Sequence, residues 1–514
     1  MQKRKFLFWL GFFIILAISL FFRFYKIKDL PGGLHPDVAA NGLDAWDILN
    51  GKLAVFFPRG NGREGLLFYL VALCIKIFGL KPWAIYLPSA IVSFFVPLLL
   101  YLLLCRWFSL KVAFLGSFFL ATSYWATVLG RSGFRANLIP LFVVLFLYLL
   151  TLAWQEDNKR KLYAFLAGAA LGLGFYSYIA YRILAFLIPL LWFLLLYLCS
   201  DKSLKAKFIL LAKWCFLGVI ITVFPLLVFF IQYPYWIVGR SAQVSIFNPD
   251  LNGGNLFGFF IEVVGRTLLG YIYQGDLNFR HNVSSFPFVS PLVVPWFILG
   301  AAICIFLGFK FLKEILKNSL KYLPYFLSIV FFVSFLIPEI TTGEGIPHGL
   351  RLIGTMPFTY IFIGLGLGKV WEFLSFKKLG AVIVFFPLGV LIFDFWAYFE
   401  FCAKNPDYFY AFRRDLVNVA SFLKENKGAN LVLEEYSQQS VDCLLLDKGK
   451  IYNSLDVYSI KNKFYCPKRE VIFTMSTFKD EEEFKNRCPN FEIIREDINP
   501  YSKEVLIRVY APEG

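Results

Sequence analysis

The chain has few charged residues, few histidines and no motif for binding nucleotides. Charged residues make up 17% of its 514 residues, and histidine occurs three times. It contains no Walker loop, dinucleotide fingerprint or metalloprotease motif, which argues against an ATP-driven pump and a cytosolic nucleotide-sugar enzyme. The net charge of +16 does not predict a nucleic-acid partner, because the basic residues lie in short segments between apolar runs.

Apolar residues, by contrast, are in large excess. Hydrophobic residues make up 58% of the chain, phenylalanine alone occurs 62 times, and the mean hydropathy is +0.64. One soluble core cannot bury so much apolar surface, so the lipid bilayer must be the main solvent. The apolar runs are roughly 16 to 24 residues long, which is the length that a helix needs to cross ~30 Å of hydrocarbon.

About eleven apolar runs are predicted to span the membrane, and we expect about 11–13 transmembrane helices in the whole fold. The runs are residues 6–22, 66–104, 112–129, 138–153, 162–178, 183–199, 208–231, 289–309, 323–337, 352–368 and 379–398. The 66–104 run is broken near Gly79. We expect one net crossing there, with a short or re-entrant first half, because two crossings would conflict with the distribution of lysines.

The character of the chain changes near residue 400. Short β-rich runs near residues 430, 470 and 504 and a helical stretch near residues 409–426 follow, and they predict a small α/β soluble domain at residues 401–514. Residues 1–400 are predicted to form an all-α transmembrane domain with outer segments at 23–65 and 232–288. Four cysteines of the C-terminal part can form one or two disulfides if that part is extracytoplasmic. They are Cys402, Cys443, Cys466 and Cys488.

Lysine and arginine are distributed unevenly between the two sides of the membrane. The basic residues at positions 3–5 place the N-terminus in the cytoplasm, where short loops carry the excess positive charge. Between residues 106 and 378, lysines occur only in or beside alternate segments, and the opposite segments hold arginine but no lysine. These outer arginines are Arg131, Arg135, Arg182, Arg240, Arg266, Arg280 and Arg351. The pattern predicts a multi-pass protein of the cytoplasmic (inner) membrane with an extracytoplasmic C-terminal domain.

The first outer segment contains the best candidate for a general base. A carboxylate at the membrane interface can accept the proton of a hydroxyl nucleophile, and Asp37 is the first choice for this role. The alternative is that Asp37 caps a helix that runs from Val38 to Leu49. Asp44 and Asp47 lie one turn apart, which is typical of a solvated helix face.

The outer arginines form a second group of candidates. Arginine presents a planar fork of donors that grips phosphate with two hydrogen bonds. Arg131, Arg135 and Arg351 each lead into an apolar run, and we expect them near the outer headgroups as ligands of a lipid phosphate. The alternative is that each side chain reaches to the interface or pairs with a nearby acid.

A third group combines a polar patch at residues 275–282 with the three histidines. Aromatic residues flank this patch, which suits sugar faces but also any membrane interface. We expect all three histidines outside, where they could hold a divalent metal ion with Glu64 or Asp37, although no ligand spacing is diagnostic and no cofactor is certain. The residues predicted to bind substrate are His35, Asp44, Arg240, Arg280, His281 and His348.

Several motifs together resemble the GT-C polytopic glycosyltransferases, in the branch of protein O-mannosyltransferases and lipid A aminoarabinose transferases (glycosyltransferase family 39-like). The resemblance covers residues 5–400. It rests on the acidic first outer segment that begins His35-Pro-Asp37, on Asn61-Gly-Arg-Glu64-Gly before the next run, on Leu87-Pro-Ser-Ala, on Arg131-Ser-Gly-Phe-Arg135 and on His348-Gly-Leu-Arg351.

The resemblance implies transfer of a sugar from a polyprenyl-phosphate donor to an acceptor hydroxyl on a protein, lipid or glycan. The family's first-loop aspartate falls on Asp37, and Val38 replaces the second acid that usually follows. The acid that opens the next helix falls on Glu64, giving a second candidate catalytic residue. Gly65 follows it where family members often have Lys-Pro or Pro, so a phosphate-binding lysine cannot be carried over. The rival functions are a transporter or flippase of lipid-linked sugars and a non-enzymatic scaffold.

Overall fold

A computed structural model describes residues 2–237, 243–376, 382–449, 451–455 and 466–513. Helices dominate, and a small sheet lies near the C-terminus, so the predicted fold class is confirmed. The chain divides into two compact units. The first contains Met1–Tyr25, Ala54–Leu67 and Ser89–Tyr398, and the second contains Lys26–Leu53, Phe68–Pro88 and Phe399–Gly514.

Nine helices of the described residues are long and apolar enough to cross a membrane, several of them beginning in a 3₁₀ turn. They are Gln2–Phe24, Pro82–Trp107, Arg135–Gln155, Ile179–Leu198, Lys202–Gln232, Pro291–Lys317, Leu323–Ile340, Arg351–Ser375 and Phe385–Cys402. A tenth span is formed if Leu110–Thr122 and Tyr124–Arg131, which bend by 52° at Ser123, count as one. The described residues also contain one shorter apolar helix, Leu66–Phe78. The chain is therefore a multi-pass membrane protein.

The interrupted 66–104 run forms two helices of unequal length. Leu66–Phe78 has 13 residues and Pro82–Trp107 has 26. At ~1.5 Å per residue, the first helix is only about 20 Å long and falls short of the ~30 Å hydrocarbon layer. Its length agrees with the expected short first half of this run, while the sidedness of the later segments stays a prediction.

Glycines allow two helices of the first unit to pack with their backbones in contact. A Cβ atom on Gly168 would lie 1.8 Å from the carbonyl oxygen of Cys215, and one on Gly218 would lie 2.2 Å from that of Phe165. Small residues permit such close approach where lipid provides no hydrophobic drive for association. The helices Arg160–Gly174 and Lys202–Gln232 therefore meet along this line.

A buried arginine supports the bend between Leu110–Thr122 and Tyr124–Arg131. The break at Ser123 deprives the carbonyls of Leu120 and Ala121 of helical donors. The guanidinium of Arg23 donates to both, at 3.1 Å and 2.6 Å, and also to the hydroxyl of Thr127. Arg23 is fully buried, so its charge is stabilised by these oxygen acceptors rather than by water.

The first unit contains the short strands β1 (Phe56–Phe57) and β2 (Arg63–Glu64), and the second unit contains a five-stranded sheet. The strands of this sheet are β3 (Asn430–Val432), β4 (Asn453–Leu455), β5 (Val471–Thr474), β6 (Phe491–Ile498) and β7 (Val505–Pro512). Their order in the sheet is β4-β3-β5-β7-β6. The pairs β3–β4 and β3–β5 are parallel, whereas β7 is antiparallel to both β5 and β6. Phe473, Phe484 and Tyr510 lie in the buried core beside this sheet.

The second unit also contains helices from residues 26–53 and from the C-terminal part of the chain. They are Pro36–Leu49, Pro406–Ala411, Arg414–Glu425, Glu435–Leu445 and Glu481–Arg487. Pro36–Leu49 packs against Glu435–Leu445, and the hydroxyl of Tyr86 donates to the carbonyl of Gly33. Residues 26–53 are thus one compact unit with the C-terminal residues, while the division at residues 400/401 stays a prediction.

One disulfide joins Cys466 to Cys488, two of the four cysteines that could form such a bond. Cys402 and Cys443 are buried thiols. The described part of residues 232–288, predicted as an outer segment, contains the helices Pro249–Asn252 and Leu256–Gly270.

Candidate functional site

A small hairpin in the first unit positions Glu64. Strands β1 (Phe56–Phe57) and β2 (Arg63–Glu64) pair antiparallel, with Phe56 opposite Glu64. The turn between them needs positive φ angles, which Gly62 supplies at +86°. Glu64 is 1% exposed, so its carboxylate requires partners.

Arg135 and Arg182, two of the arginines predicted on the outer side, provide those partners. Arg135 Nε lies 3.1 Å from Glu64 Oε2, and Arg182 Nη2 lies 2.9 Å from Oε1. The two guanidinium groups also face the rings of Tyr178 and Phe230, respectively. One carboxylate between two guanidinium groups leaves a net positive charge, which suits an anion. Arg182 was not among the predicted site residues, although its place in the lysine-poor outer set was a usable signal.

Arg131 is buried rather than exposed at the headgroup level. It ends the helix Tyr124–Arg131 and is 1% exposed. Its Nη1 donates to the carbonyl of Phe22 at 3.2 Å, and the guanidinium lies 5.5 Å from the centre of the Tyr398 ring. Both of these contacts are with residues of the first unit.

A second cluster of the first unit contains Asp276, His281 and His348. The Oδ2 atom of Asp276 lies 3.0 Å from His281 Nδ1 and accepts the backbone N–H of Gly349 at 2.9 Å. The imidazole rings of His281 and His348 lie 4.3 Å apart. These three side chains are the group of the described residues whose ligand atoms could hold a metal ion, all within 4.8 Å of one another.

Burial sets the protonation of both imidazoles. It lowers the pKa of His281, although the hydrogen bond and the charge of Asp276 act in the opposite direction. Burial also lowers the pKa of His348 well below its ordinary value, and the neighbouring His281 adds to this effect. Both rings are therefore neutral at neutral pH.

Arg351 and Arg280 lie in the same region of the sequence as this cluster. Arg351 Nη1 is 3.7 Å from Glu339 Oε2, and its Nη2 is 3.9 Å from Glu344 Oε2. Arg280 Nε donates to the side-chain oxygen of Asn278 at 3.3 Å. Arg351 therefore pairs with Glu339 and Glu344, whereas Arg135 pairs with Glu64. Glu339 lies just beyond a predicted apolar run, and the sequence reasoning missed it.

Asp37 belongs to the second unit, and it does not cap its helix. The helix begins at Pro36 instead of Val38, and His35 is the capping residue, its Nδ1 accepting the N–H of Asp37 at 3.2 Å. The cap interpretation of Asp37 is therefore wrong. Its side chain is 51% exposed, and the hydroxyl of Tyr436 donates to Oδ1 at 2.6 Å. Tyr436 comes from the helix Glu435–Leu445 and was not predicted.

Asp44 and Asp47 differ in their surroundings. Asp47 pairs with Lys52 at 2.8 Å and is partly exposed. Asp44 is 2% exposed, so the expected solvated face is wrong for this residue. The reason is that the helix Pro36–Leu49 packs against Glu435–Leu445 in the second unit.

Three pairs of predicted residues are thus brought together. Glu64 meets Arg135, His281 meets His348, and His35 lies beside Asp37, its Nδ1 3.6 Å from Oδ2. Arg240, another predicted substrate-binding residue, lies outside the described residues.

Part of the chain matches a known protein family. Residues 66–229 match the family model described as dolichyl-phosphate-mannose-protein mannosyltransferase. Comparison with curated protein sequences gives no match. Among solved structures, ArnT from Cupriavidus metallidurans, bound to undecaprenyl phosphate, is similar with a TM-score of 0.56 and 12% identity, covering 96% of this chain and 97% of that one.

Two structures from Archaeoglobus fulgidus are similar as well. The oligosaccharyltransferase tethered with an acceptor peptide has a TM-score of 0.52 and 12% identity, covering 99% of this chain and 74% of that one. AglB in complex with an inhibitory peptide and a dolichol-phosphate has a TM-score of 0.53 and 13% identity, covering 100% and 75%. This chain has the GT-C fold.

The resemblance predicted from the sequence is therefore confirmed at the level of the GT-C fold. The matching structures are glycosyltransferases with the same fold, and two of them hold a polyprenyl phosphate. The GT-C fold of this chain spans both units, because the matches cover nearly all of it.

Proposed function

We propose that this GT-C protein transfers a hexosyl or pentosyl group from a polyprenyl-phosphate donor to an acceptor hydroxyl. The acceptor is a protein, lipid or glycan at the outer face of the cytoplasmic membrane. The observation that carries the proposal is the half-exposed carboxylate of Asp37, oriented by Tyr436. The similar folds of ArnT with undecaprenyl phosphate and of AglB with dolichol-phosphate support the class of donor.

Asp37 acts as the general base in this proposal. Its carboxylate accepts the proton of the acceptor hydroxyl while the oxygen attacks the anomeric carbon of the sugar. The bond between that carbon and the phosphate oxygen breaks, and the polyprenyl phosphate leaves with the bonding electron pair. Attack opposite the leaving group inverts the anomeric configuration. The hydrogen bond from Tyr436 holds the carboxylate in one orientation, so Tyr436 is a positioning residue.

The donor phosphate is bound by outer arginines. Arg135 and Arg182 share the buried carboxylate of Glu64, which fixes both guanidinium groups in place. Glu64 therefore acts through them, as a positioning residue. Fixed positive charges stabilise the negative charge that develops on a leaving phosphate. Arg131 and Arg351 are the other proposed phosphate ligands, and the further proposed substrate-binding residues are His35, Asp44, Arg240, Arg280, His281 and His348.

The outer location of the site is supported by the disulfide of the second unit. The bond between Cys466 and Cys488 would persist in an oxidising compartment and not in the cytoplasm. The same unit contains Asp37 and Tyr436. We therefore place this unit outside and the N-terminus inside.

A transfer assay with the full-length protein in proteoliposomes tests the proposal. The donor is a labelled undecaprenyl-phosphate sugar, and acceptors are supplied as a membrane extract. We expect Asp37→Asn to lower transfer by about 10²–10⁴-fold, the usual contribution of a general base. Asp47→Asn is the matched control, because Asp47 lies on the same helix and pairs with Lys52. Full activity of Asp37→Asn would show that Asp37 is not the base.

One observation favours the alternative of a transporter or flippase. Asp394 is buried inside the candidate span Phe385–Cys402, where the hydroxyl of Thr122 donates to it at 3.1 Å. The sequence placed Asp394 near a span end, but the π-helical segment Trp396–Cys402 extends the span beyond it. Buried carboxylates inside spans often mark transport pathways.

The two functions differ in what Asp394→Asn does. A transporter would lose translocation of a fluorescent lipid-linked sugar across liposomes. The proposed transferase would keep its transfer activity with this variant, because Asp394 has no role in the reaction.

A further inference from the structure

We propose that a group of lysines in the first unit binds the headgroup phosphate of an anionic phospholipid. Residues 199–205 and 310–323 together hold six lysines and two carboxylates, so they carry a net positive charge. None of these lysines forms an ion pair with a carboxylate of the described residues, whereas Lys369 and Lys404 do. The six residues, called the lysine patch below, are Lys202, Lys205, Lys310, Lys313, Lys317 and Lys321. The site does not depend on glycosyl transfer.

The two stretches that carry the lysine patch are held side by side. Asn318 adopts a positive φ of +60°, and its Oδ1 atom accepts the backbone N–H groups of Ser200 and Asp201 at 3.2 Å and 3.0 Å. Cys199 and Phe311 belong to the same buried apolar cluster below them. Because these contacts fix both backbones, the lysines of the two stretches lie in one region of the surface.

Two lysines of the patch approach the same aromatic ring. The Nζ atoms of Lys310 and Lys321 lie 5.0 Å and 5.4 Å from the centre of the Tyr322 ring. The interaction with Lys310 lowers the pKa of the Tyr322 hydroxyl, burial opposes this effect, and Lys321 adds to it. Two ammonium groups beside one ring repel each other, and an anion bound to both would offset that repulsion. Both lysines are exposed, so an anion can reach them.

The lysine patch lies at the end of a helix that is longer than the hydrocarbon layer. The candidate span Pro291–Lys317 has 27 residues. At ~1.5 Å per residue it is about 40 Å long, whereas the hydrocarbon layer is ~30 Å thick. Lys310, Lys313 and Lys317 are three and four residues apart at the C-terminal end, so they share one face. Since charge is disfavoured in hydrocarbon, this end extends into the headgroup layer.

Exposed apolar side chains beside the patch favour a phospholipid over a soluble anion. Phe306, Phe309 and Leu316 are 71%, 67% and 55% exposed, and they alternate along the helix with Lys310 and Lys313. A phospholipid can cover the apolar side chains with its acyl chains while its phosphate meets the ammonium groups. Basic pockets between membrane helices bind anionic headgroups in this way on the cytoplasmic side. The lysine distribution predicts the same side for the patch.

Lipid binding to the purified full-length protein in detergent tests this inference. The delipidated protein is titrated with dioleoyl phosphatidylglycerol, which is anionic, or with dioleoyl phosphatidylcholine, which has no net charge. Native mass spectrometry counts the bound lipid molecules. We expect saturable binding of phosphatidylglycerol and weaker binding of phosphatidylcholine. Phosphatidylglycerol should also raise the thermal unfolding temperature, because a ligand that binds only the folded state stabilises it.

The double variant Lys310→Gln/Lys321→Gln removes the two convergent charges. Both side chains are exposed, so the fold should be unaffected. We expect phosphatidylglycerol to bind at least about tenfold more weakly, in line with the contribution of two lysines to the binding of anionic lipid. Lys310→Arg/Lys321→Arg keeps both charges and should keep the binding.

Lys111→Gln/Lys161→Gln is the matched control. It removes two exposed lysines from the same predicted side, and each of them lies over a different tryptophan ring, at 5.3 Å and 5.9 Å. The change in net charge is the same, but no pair of convergent ammonium groups is lost. This variant should bind phosphatidylglycerol with wild-type affinity.

Three results would overturn the inference. One is equal affinity for phosphatidylglycerol in the wild type and in Lys310→Gln/Lys321→Gln. Another is an equal loss of affinity in this variant and in the matched control, which would indicate attraction by overall charge instead of a site. The third is displacement of phosphatidylglycerol by an excess of inorganic phosphate, which would indicate a site for a soluble anion. None of these results would alter the test of Asp37.

Discussion

Charge compensation at single residues governs the proposed donor site. Glu64 is almost completely buried, yet two guanidinium groups contact its carboxylate at 3.1 Å and 2.9 Å. Removing one partner of a buried charge pair is costly because the other charge stays behind without compensation. A substitution at Glu64, Arg135 or Arg182 should therefore disturb the charge compensation of the other two residues.

Arg182→Ala should weaken donor binding. The substitution removes one positive charge and leaves the Glu64 carboxylate less compensated, so a phosphate would be bound less tightly. A lost hydrogen bond to a charged group costs about 1.5–3 kcal/mol, which corresponds to roughly tenfold or more in affinity. Binding of labelled undecaprenyl phosphate to the purified protein measures this effect.

Arg266→Ala is the matched control for this measurement. Arg266 is another outer arginine, but it is exposed and pairs with Glu262 on its own helix. Its removal should leave donor affinity unchanged. If Arg182→Ala also binds the donor with wild-type affinity, the phosphate does not contact this pair of arginines.

Tyr436→Phe should lower the turnover rate without changing donor affinity. The substitution removes only the hydroxyl that donates to Asp37 Oδ1, so the carboxylate keeps its charge and loses its orientation. We expect kcat to fall by about tenfold, in line with a hydrogen bond to a charged group, while the KM for the donor stays the same. The transfer assay under saturating acceptor separates the two constants.

The chain offers a close control for Tyr436→Phe. Tyr452 makes the same kind of bond in the same unit, donating to Asp442 Oδ1 at 2.6 Å. Tyr452→Phe should therefore leave kcat unchanged. An equal loss of activity in both variants would point to a general weakening of the unit instead of positioning of Asp37.

At the scale of elements, the hairpin of β1 and β2 holds Glu64 beside Arg135 and Arg182, and its close packing requires glycine at residue 65. Gly65 follows Glu64 directly, and a Cβ atom there would lie 2.8 Å from the ring of Phe57. The carbonyls of Ala54 and Val55 are within 3.2 Å of the same point. The crowding explains physically why glycine stands at this position and why a bulkier residue does not fit.

Gly65→Ala should destabilise the hairpin by about 1–3 kcal/mol, the usual cost of overpacking. Because Glu64 is the preceding residue, we also expect donor binding to weaken. Thermal unfolding in detergent and the donor-binding assay measure the two effects. Gly265→Ala is the control, since a Cβ atom at Gly265 meets open space. Wild-type behaviour of Gly65→Ala in both assays would contradict this view of the hairpin.

The sequence predicted some strands and helices of the second unit and missed two of its strands. The β-rich runs near residues 430, 470 and 504 correspond to β3, β5 and β7, and the helical stretch at 409–426 corresponds to two short helices. The strands β4 and β6 were missed. β4 is three residues long, and most of β6 is exposed, so neither has the apolar run that identifies a buried strand.

At the scale of the whole molecule, sidedness is the property on which the proposed function depends. The lysine distribution predicts that the N-terminus lies inside, and the disulfide of the second unit is in keeping with the oxidising compartment proposed for residues 466–488. The 13-residue length of Leu66–Phe78 fits a single net crossing in this region.

Reporter fusions test this orientation. Alkaline phosphatase folds only outside the cytoplasm, so we expect it to be active when fused to the C-terminus of the full-length chain. A fluorescent protein fused to the N-terminus should fluoresce, because it folds in the cytoplasm. Inactive phosphatase at the C-terminus would reverse the sidedness and remove the basis for an outer transfer reaction.

The sequence by itself determined the membrane class, the positions of most helices and the GT-C resemblance. These properties depend on local hydropathy and short motifs, which can be read along the chain. Only the tertiary structure decided which charged residues meet. Tyr436 reaches Asp37 across 399 positions, and Arg182 reaches Glu64 across 118. Such pairs depend on how distant helices pack, and hydropathy carries no information about partners so far apart in sequence.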